Sequence, residues 1–471
     1  MKSPGLGFAA AAGLLLLAGC GGPPTLDLGQ PGKSLTYIPG TPSFDFEAIP
    51  DDANGSVQVS LSLPSSSLTF LKSPNGFAAH LEIDVRAFAT RVDTLIRDYS
   101  WPDTIAVRTF GETTREDAWV LSRSFKFVPG DVRVVVEVLD DATGRREIRS
   151  ERLRIPSPNE LHPFIGRIIL QARGEGGWAT IVPLHIPSSL PDLRASARIF
   201  GMQKGEEGNA RFSLLQFKVA DVVAQPPYFF SDFLPTPGEA KQVWFDRPDT
   251  VRSERIAVAI HRSENPALLY PLDGLQPGLY ELSLSVTLPS RLEGPDSILE
   301  ANRVFSIKSP TFPKPSTLKE LTDAMTYLLN PREKRLFEAV RSQRELRDVF
   351  DSLWLSFRPT KEEASALLKR YYTRVEEANR LYTDFKEGWK TDRGMLYIIF
   401  GPPQYIMNSL DRQIWTYDLP GTSQEVQFIF RRVIIGGGEI SMRTFVLYRD
   451  TSYEWAWDQM VSRWRYGGSG W

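Results

Sequence analysis

Hydrophobic and polar residues alternate strictly along Val57-Gln58-Val59-Ser60-Leu61-Ser62-Leu63, and again from Ala79 through Leu81, Ile83 and Val85 to Ala87. A period of two puts every apolar side chain on one face of an extended chain, so each run predicts a strand with one face buried and one wet. Runs at Ile105 to Phe110, Val120 to Phe127 and Val132 to Leu139 follow at short intervals, which predicts an antiparallel β-sandwich over residues 56–158. Residues 159–310 repeat the scheme less regularly, at Ile165 to Ala172, Ala195 to Phe200, Phe212 to Val219, Arg255 to His261, Tyr280 to Leu288 and Arg303 to Ile307. Pro129-Gly130 and Pro277-Gly278 each open a strand in the same layout, Pro presetting the turn and Gly supplying the φ that a turn can demand. The echo predicts two tandem antiparallel β-sandwich (Ig-like) domains, with one larger β-domain as the alternative.

After the linker Phe312-Pro313-Lys314-Pro315 the period changes. Thr317 with Glu320, Asn330-Pro331 with Glu333, and Thr360 with Glu363 each place a capping side chain three residues before an acid, so three helices are predicted. The third carries an apolar stripe, Ala364, Leu368, Tyr371, Val375, Ala378, Tyr382 and Phe385, spaced by four and three. The period then returns to two at Met395 to Phe400, Gln413 to Leu419, Glu425 to Val433 and Ile440 to Tyr448. Residues 316–471 are therefore expected to form an α+β domain of three helices and a four-stranded antiparallel meander.

The amino terminus follows neither period. Lys2 precedes an apolar run from about Phe8 to Ala18, too short for a membrane-spanning helix of about 20 residues but suited to a secretory signal over residues 1–19. Leu17-Ala18-Gly19-Cys20 resembles a bacterial lipobox, which implies that Cys20 carries lipid. Cys20 is the only Cys, so no disulfide can form within the chain, and acylation accounts for the thiol. Gly21-Gly22, with no Asp after the Cys, resembles the outer-membrane-sorted kind. Residues 20–55, broken by Pro23, Pro24, Pro31, Pro39, Pro42 and Pro50, are expected to form a tether from the membrane, with partial packing on the first domain as the alternative. The chain as a whole is 42% hydrophobic and 24% charged with a net charge of -2, which fits a folded body outside the bilayer and argues against a nucleic-acid partner.

Gly388-Trp389-Lys390-Thr391-Asp392-Arg393-Gly394, then Tyr397-Ile398 and Gly401-Pro402-Pro403, resembles the signature of the GWxTD-domain family. The resemblance extends upstream to Trp354 and Arg374-Val375-Glu376-Glu377-Ala378-Asn379, and downstream to Ile414-Trp415-Thr416-Tyr417. It covers about the last third of the chain. Members are mostly exported bacterial proteins, and tandem β-domains in front match their usual arrangement. Gln404 departs from the pattern, which commonly has an acid there. The resemblance implies a membership and names no reaction.

From the residues themselves, Gly388 can end the long helix in the left-handed region and Gly394 can admit the chain to the first strand. Trp389 offers an apolar anchor, Thr391 and Asp392 can accept from backbone N–H groups of a tight turn, and Arg393 can pair with Asp392 or another carboxylate. Three roles stay open: a structural corner, a ligand site lined by Asp392 and Arg393, or catalysis through Asp392. The four His (His80, His162, His185, His261) all precede residue 316, so the C-terminal domain has neither a Ser-His-Asp triad nor a His-ligated zinc of its own. No metal or cofactor is expected. Carboxylate-only hydrolysis survives, with Asp392 and one of Asp411, Asp418 or Glu425. The function expected is a non-catalytic, lipid-anchored protein of the bacterial cell envelope, at the outer membrane, that binds a protein partner or envelope polymer such as a glycan. The alternative is a hydrolase of glycan or peptide that uses Asp392.

Overall fold

In the computed structural model the alternating runs form strands. The structure describes residues 35–37, 44–50, 54–114, 118–174, 176–182, 185–187, 192–217, 222–229, 242–243, 249–259, 267–290, 295–408, 412–421, 424–435 and 442–467. Cys20 and its flanking signal, Asp411, His261 and Gly436 to Gly438 lie outside them.

Two sheets share the first core. Asp45–Pro50, Ser56–Pro64 and Ala118–Lys126 form one; Leu71–Ser73, Gly76–Ala89, Leu95–Val107, Gly130–Asp140 and Arg145–Ile155 form the other. The alternating apolar side chains Val57, Val59 and Leu61 meet Leu81, Ile83, Val85, Val134 and Val136 between them. Asp45–Pro50 lies within the stretch expected to be tether, and it pairs with Ser56–Pro64 from Asp45 opposite Ser62 to Pro50 opposite Val57. Its Pro50 stands at the strand end, where the missing N–H does least harm. The first core therefore begins before residue 56.

A second pair of sheets follows. Ile169–Gly174, Gly177–Thr180, Leu193–Phe200, Phe164–Ile165 and Ala267–Pro271 face Glu207–Phe217, Asp249–Ala259, Gly278–Leu288, Ser297–Lys308 and His185–Pro187 across a core that includes Ala197, Ile199, Phe212, Leu282 and Phe305. The echo has a structural counterpart, since Gly130–Asp140 and Gly278–Leu288 each pair antiparallel with the next strand. The pairing is mostly antiparallel; His185–Pro187 runs parallel to Ser297–Lys308.

The C-terminal region has more helix than its sequence pattern predicts. Among the described residues it contains α1 (Leu318–Ala324), α2 (Pro331–Ala339), α3 (Gln343–Ser356), α4 (Lys361–Tyr382), α5 (Asp392–Phe400) and α6 (Glu454–Tyr466). Thr317 and Asn330 close reciprocal capping boxes with Glu320 and Glu333, and Thr360 accepts from the Glu363 N–H, all as expected. The run Met395 to Phe400 is a helix and not the first strand. Thr391 caps it by accepting from the Gly394 N–H, and every residue from Gly394 to Phe400 is buried. A run that is apolar all round fits a fully buried helix as well as a buried strand, and the cap decides between them. The meander survives with Tyr405–Asn408 as its first strand, followed by Arg412–Asp418, Glu425–Ile435 and Met442–Leu447. It belongs to a six-stranded sheet, because Leu35–Tyr37 pairs with Tyr405–Asn408 and Gln242–Val243 runs parallel to Ile434–Ile435. Trp455 and Trp457, two apart, diverge on α6: Trp455 is exposed and Trp457 is buried.

Candidate functional site

The long helix α4 buries Ala364, Leu367, Tyr371, Val375, Ala378 and Tyr382, a stripe that differs from the expected one in using Leu367 ahead of the half-buried Leu368. Phe385 is buried beyond the helix end. Thr383 is extended and stops the helix, a 3-10 turn runs over Gly388–Lys390, and Thr391 starts α5. This folds the motif into a corner between α4, α5 and the strand Met442–Leu447.

Both glycines of the corner are demanded by contact rather than by φ. A Cβ on Gly388 would lie 1.9 Å from the Ala378 carbonyl oxygen, and one on Gly394 would lie 1.8 Å from the Gly388 oxygen, while neither residue has a positive φ. The expected left-handed helix end at Gly388 and strand entry at Gly394 are thus corrected: the glycines let α4, the turn and α5 touch backbone to backbone.

Trp389 is buried, and each of its polar groups is engaged. Its N–H donates to Asn379 Oδ1 at 3.0 Å, its indole Nε1 to Glu387 Oε2 at 2.9 Å, and its carbonyl accepts from the Tyr327 hydroxyl at 2.6 Å. Asn379 in turn donates to the Pro313 carbonyl at 2.8 Å, tying the linker to the corner. The Thr391 hydroxyl donates to the Gly388 carbonyl at 2.8 Å and accepts from the Gly394 N–H at 3.0 Å.

Asp392 sits in the first turn of α5, where the helix end favours a negative charge. It is 5% exposed. Oδ2 accepts from the Leu447 N–H at 2.8 Å, and Oδ1 meets Arg449 Nη2 at 2.6 Å. Arg449 was not foreseen; nothing in its sequence surroundings marks it, because the pairing spans two separate elements. Arg393, expected to pair with Asp392 or another carboxylate, lays its guanidinium over the rings of Phe445 and Tyr382 at 4.3 and 5.4 Å, and its charge favours the ionised form of Asp384.

The other motif residues gather at the far end of α5, about 13 Å along the helix axis. Gly401 takes φ +87° and ends the helix, and its carbonyl accepts from the Tyr417 hydroxyl at 3.0 Å. Arg374 and the Trp464 indole donate to the Ile398 and Ile399 carbonyls, both at 3.0 Å. Pro403 is buried and Pro402 exposed. Trp415 is fully buried against Tyr382, with centroids 5.1 Å apart. Gln404 Oε1 accepts from the Asp418 N–H at 2.9 Å, a local strand contact.

Charged groups crowd under the corner. Burial pushes the Lys386 ammonium below its ordinary value, against Asp392 and Asp384, which favour its charge. Burial raises the Asp384 carboxyl, partly offset by the hydrogen bond from Thr444 and the charge of Lys386. Lys308, at the end of its strand, is pushed down to about 8 by burial, while Glu387 and Asp384 favour its charge and Lys390 opposes it. Asp418 and Glu425, candidate second acids, face each other on the exposed side of a hairpin. Among the described residues no three His, Cys, Asp or Glu could hold a metal ion, and no helix is long and apolar enough to cross a membrane.

One segment from outside the C-terminal region completes the site. Val222 to Tyr228 runs along the corner. Lys386 Nζ donates to the Val222 carbonyl at 2.8 Å, Arg449 Nη2 to the Gln225 carbonyl at 3.2 Å, and the Asp450 N–H to the Pro227 carbonyl at 3.1 Å. The Ala224 N–H donates to the Lys390 carbonyl at 2.9 Å. Ala224 is buried in the C-terminal core, with Val223 and Tyr228 packed against it.

A family model described as the GWxTD domain matches residues 294–466. The C-terminal region is a GWxTD domain. The match begins ahead of the expected boundary at residue 316, so it takes in the strand Ser297–Lys308 whose end packs under the corner. No curated protein matches the chain. Among solved structures, a red sea bream transglutaminase is 11% identical over 56% of this chain and 31% of its own, with a TM-score of 0.18. Fibronectin(III)-like modules of Clostridium thermocellum CbhA are 9% identical over 58% of this chain and 99% of theirs, at 0.15. An E. coli alpha-2-macroglobulin is 10% identical over 59% of this chain and 15% of its own, at 0.17. The chain spans less than a third of the transglutaminase it aligns with, and likenesses at these scores carry no argument.

Proposed function

We propose that this chain is a non-catalytic lipoprotein of the bacterial cell envelope, anchored through lipid on Cys20 at the outer membrane, whose GWxTD domain binds a protein partner or envelope polymer. On this proposal the two β-rich regions are immunoglobulin-like sandwiches that act as spacers or contact modules. The observation that carries the non-catalytic part is Asp392. A general acid or base must lie in reach of substrate, whereas Asp392 is buried and its carboxylate is turned to the Leu447 N–H and the Arg449 guanidinium. The hydrolase alternative through Asp392 therefore has no support from the geometry. A corner in which the polar groups of Trp389, Thr391 and Asp392 are engaged is built to hold shape, which suits a rigid binding surface.

The test is made on the full chain expressed with its leader. The wild type should partition with membranes and Cys20→Ser should move to the soluble fraction, because one residue carries the anchor. Mild detergent extraction of the wild type should then recover a partner in fixed stoichiometry. Recovery of the chain alone, or Cys20→Ser remaining on membranes, counts against the proposal.

A further inference from the structure

Residues 218–248 join Glu207–Phe217 to Asp249–Ala259, two strands that pair directly with each other. Adjacent antiparallel strands need only a turn of a few residues between them, and this connection instead reaches the GWxTD domain twice, at Val222 to Tyr228 and at Gln242–Val243. Its Val222 to Tyr228 stretch is held on the GWxTD corner almost wholly through main-chain atoms: three carbonyls accept and one N–H donates. Recognition of that kind reads the backbone of a non-helical segment, here one that turns at Pro227-Tyr228, and leaves most side chains unread. Three positions are read. Ala224 is buried in the core, Val223 packs against that core, and Tyr228 packs there too, near Glu454 and Asp458 of α6.

Three of these four groups are set by contacts that do not involve the segment. Asp392 orients Arg449, the 3-10 turn presents the Lys390 carbonyl, and Asp450 is held by accepting from the Ser452 N–H at 2.8 Å. A site whose groups are already placed pays little to receive a ligand. We infer that the corner is a receptor for an uncharged, non-helical peptide with a small residue at the place of Ala224, filled here by the chain's own segment and open to an equivalent segment supplied by a partner. Asp392 is then a positioning residue, aiming Arg449 at a peptide carbonyl. This rests on the binding proposal above and names the class of ligand.

The experiment uses the full chain and a fluorescent peptide, Val-Val-Ala-Gln-Pro-Pro-Tyr-Phe, copied from residues 222–229. In the wild type the tethered segment competes, which weakens apparent affinity by the fraction of sites left open. Ala224→Arg should expel the segment, so the variant should bind the peptide at least about tenfold more tightly than the wild type. A peptide with Arg in place of its Ala should not bind, and Ala224→Arg/Arg449→Met should lose the gain. An Ala224→Arg protein that unfolds cooperatively yet binds no peptide overturns the inference. If that variant does not fold, amide exchange of the wild type decides. Excess peptide should speed exchange at Ala224, whose N–H is bonded to Lys390, and unchanged protection overturns the inference. Peptide binding without any partner recovered from membranes would count against the scaffold proposal alone. A recovered partner with no peptide binding would sink only the receptor.

Discussion

Replacing Asp392 by Asn keeps the side-chain shape and removes its charge, leaving the Arg449 guanidinium buried beside carbonyl oxygens alone. Breaking one side of a buried pair costs about 3–5 kcal/mol, so Asp392→Asn should lower the urea midpoint sharply. An unchanged midpoint would mean that Asp392 is not a brace. At Gly388 the obstacle is a carbonyl oxygen 1.9 Å from any Cβ, and backbone cannot swing aside as a side-chain tip can. Gly388→Ala should cost more than about 3 kcal/mol, measured by the same unfolding; a smaller loss would show that α4 and the turn can separate. Lys308 gives a pH signature. Its folded value of about 8 lies below the ordinary value of 10.5, so between those limits the unfolded chain binds more protons. Stability from this group is therefore full above 10.5, rises as pH climbs through the window, and is lost as pH falls through about 8. Lys308→Met should raise stability near neutrality by about 1–3 kcal/mol and flatten that rise. A variant that keeps the wild-type slope between pH 8 and 10.5 would assign it to another group.

Among the elements, α4 is the one whose start, cap and most of whose stripe can be read directly from residue spacing. Thr360 accepts from the Glu363 N–H at 3.2 Å, and Thr360→Ala should cost about 1 kcal/mol by loss of that cap. No change in the thermal midpoint would indicate that water replaces the hydroxyl fully. The neighbouring α5 shows how far such spacing reaches. Ile398 and Ile399 favour a strand by their branching, and a six-residue apolar run has no period to separate helix from strand. Thr391 before Asp392 and Gly394 was the available signal, a cap and an acid at a helix start. It was obscured because the same residues also describe a tight turn. At the other end, Arg374 and Trp464 complete the helix from distant positions, which no local pattern reveals.

For the whole molecule, the first and second β-rich regions meet through charges taken out of water. Glu47 and Arg303 pair at 2.7 Å with both side chains almost fully buried, and Arg167 meets Glu151 at 2.7 Å. Burial raises the Glu151 carboxyl against the pull of Arg167. Such pairs give specificity more readily than stability. Glu47→Gln should therefore cost about 3–5 kcal/mol and split calorimetric unfolding into separate transitions. Glu47→Leu with Arg303→Met should come close to the wild-type midpoint. A single unchanged transition in Glu47→Gln would show that the regions are coupled elsewhere.

Two-residue alternation and three capping signals were enough to establish from sequence alone that β-rich regions precede a helical and meandering domain, because burial on one face imposes a period wherever it occurs. The motif from Gly388 to Gly394 was visible as following a long helix, with a structural corner as one of three roles left open. What the corner touches was decided only by the fold. The partner of Asp392 lies on the strand-following residue Arg449, the need for Gly388 arises from a carbonyl of α4, and the peptide on the site comes from a loop of another region. Each is a contact between segments far apart in the chain, where neither period nor spacing carries information. Tertiary packing alone brings those atoms within hydrogen-bond reach.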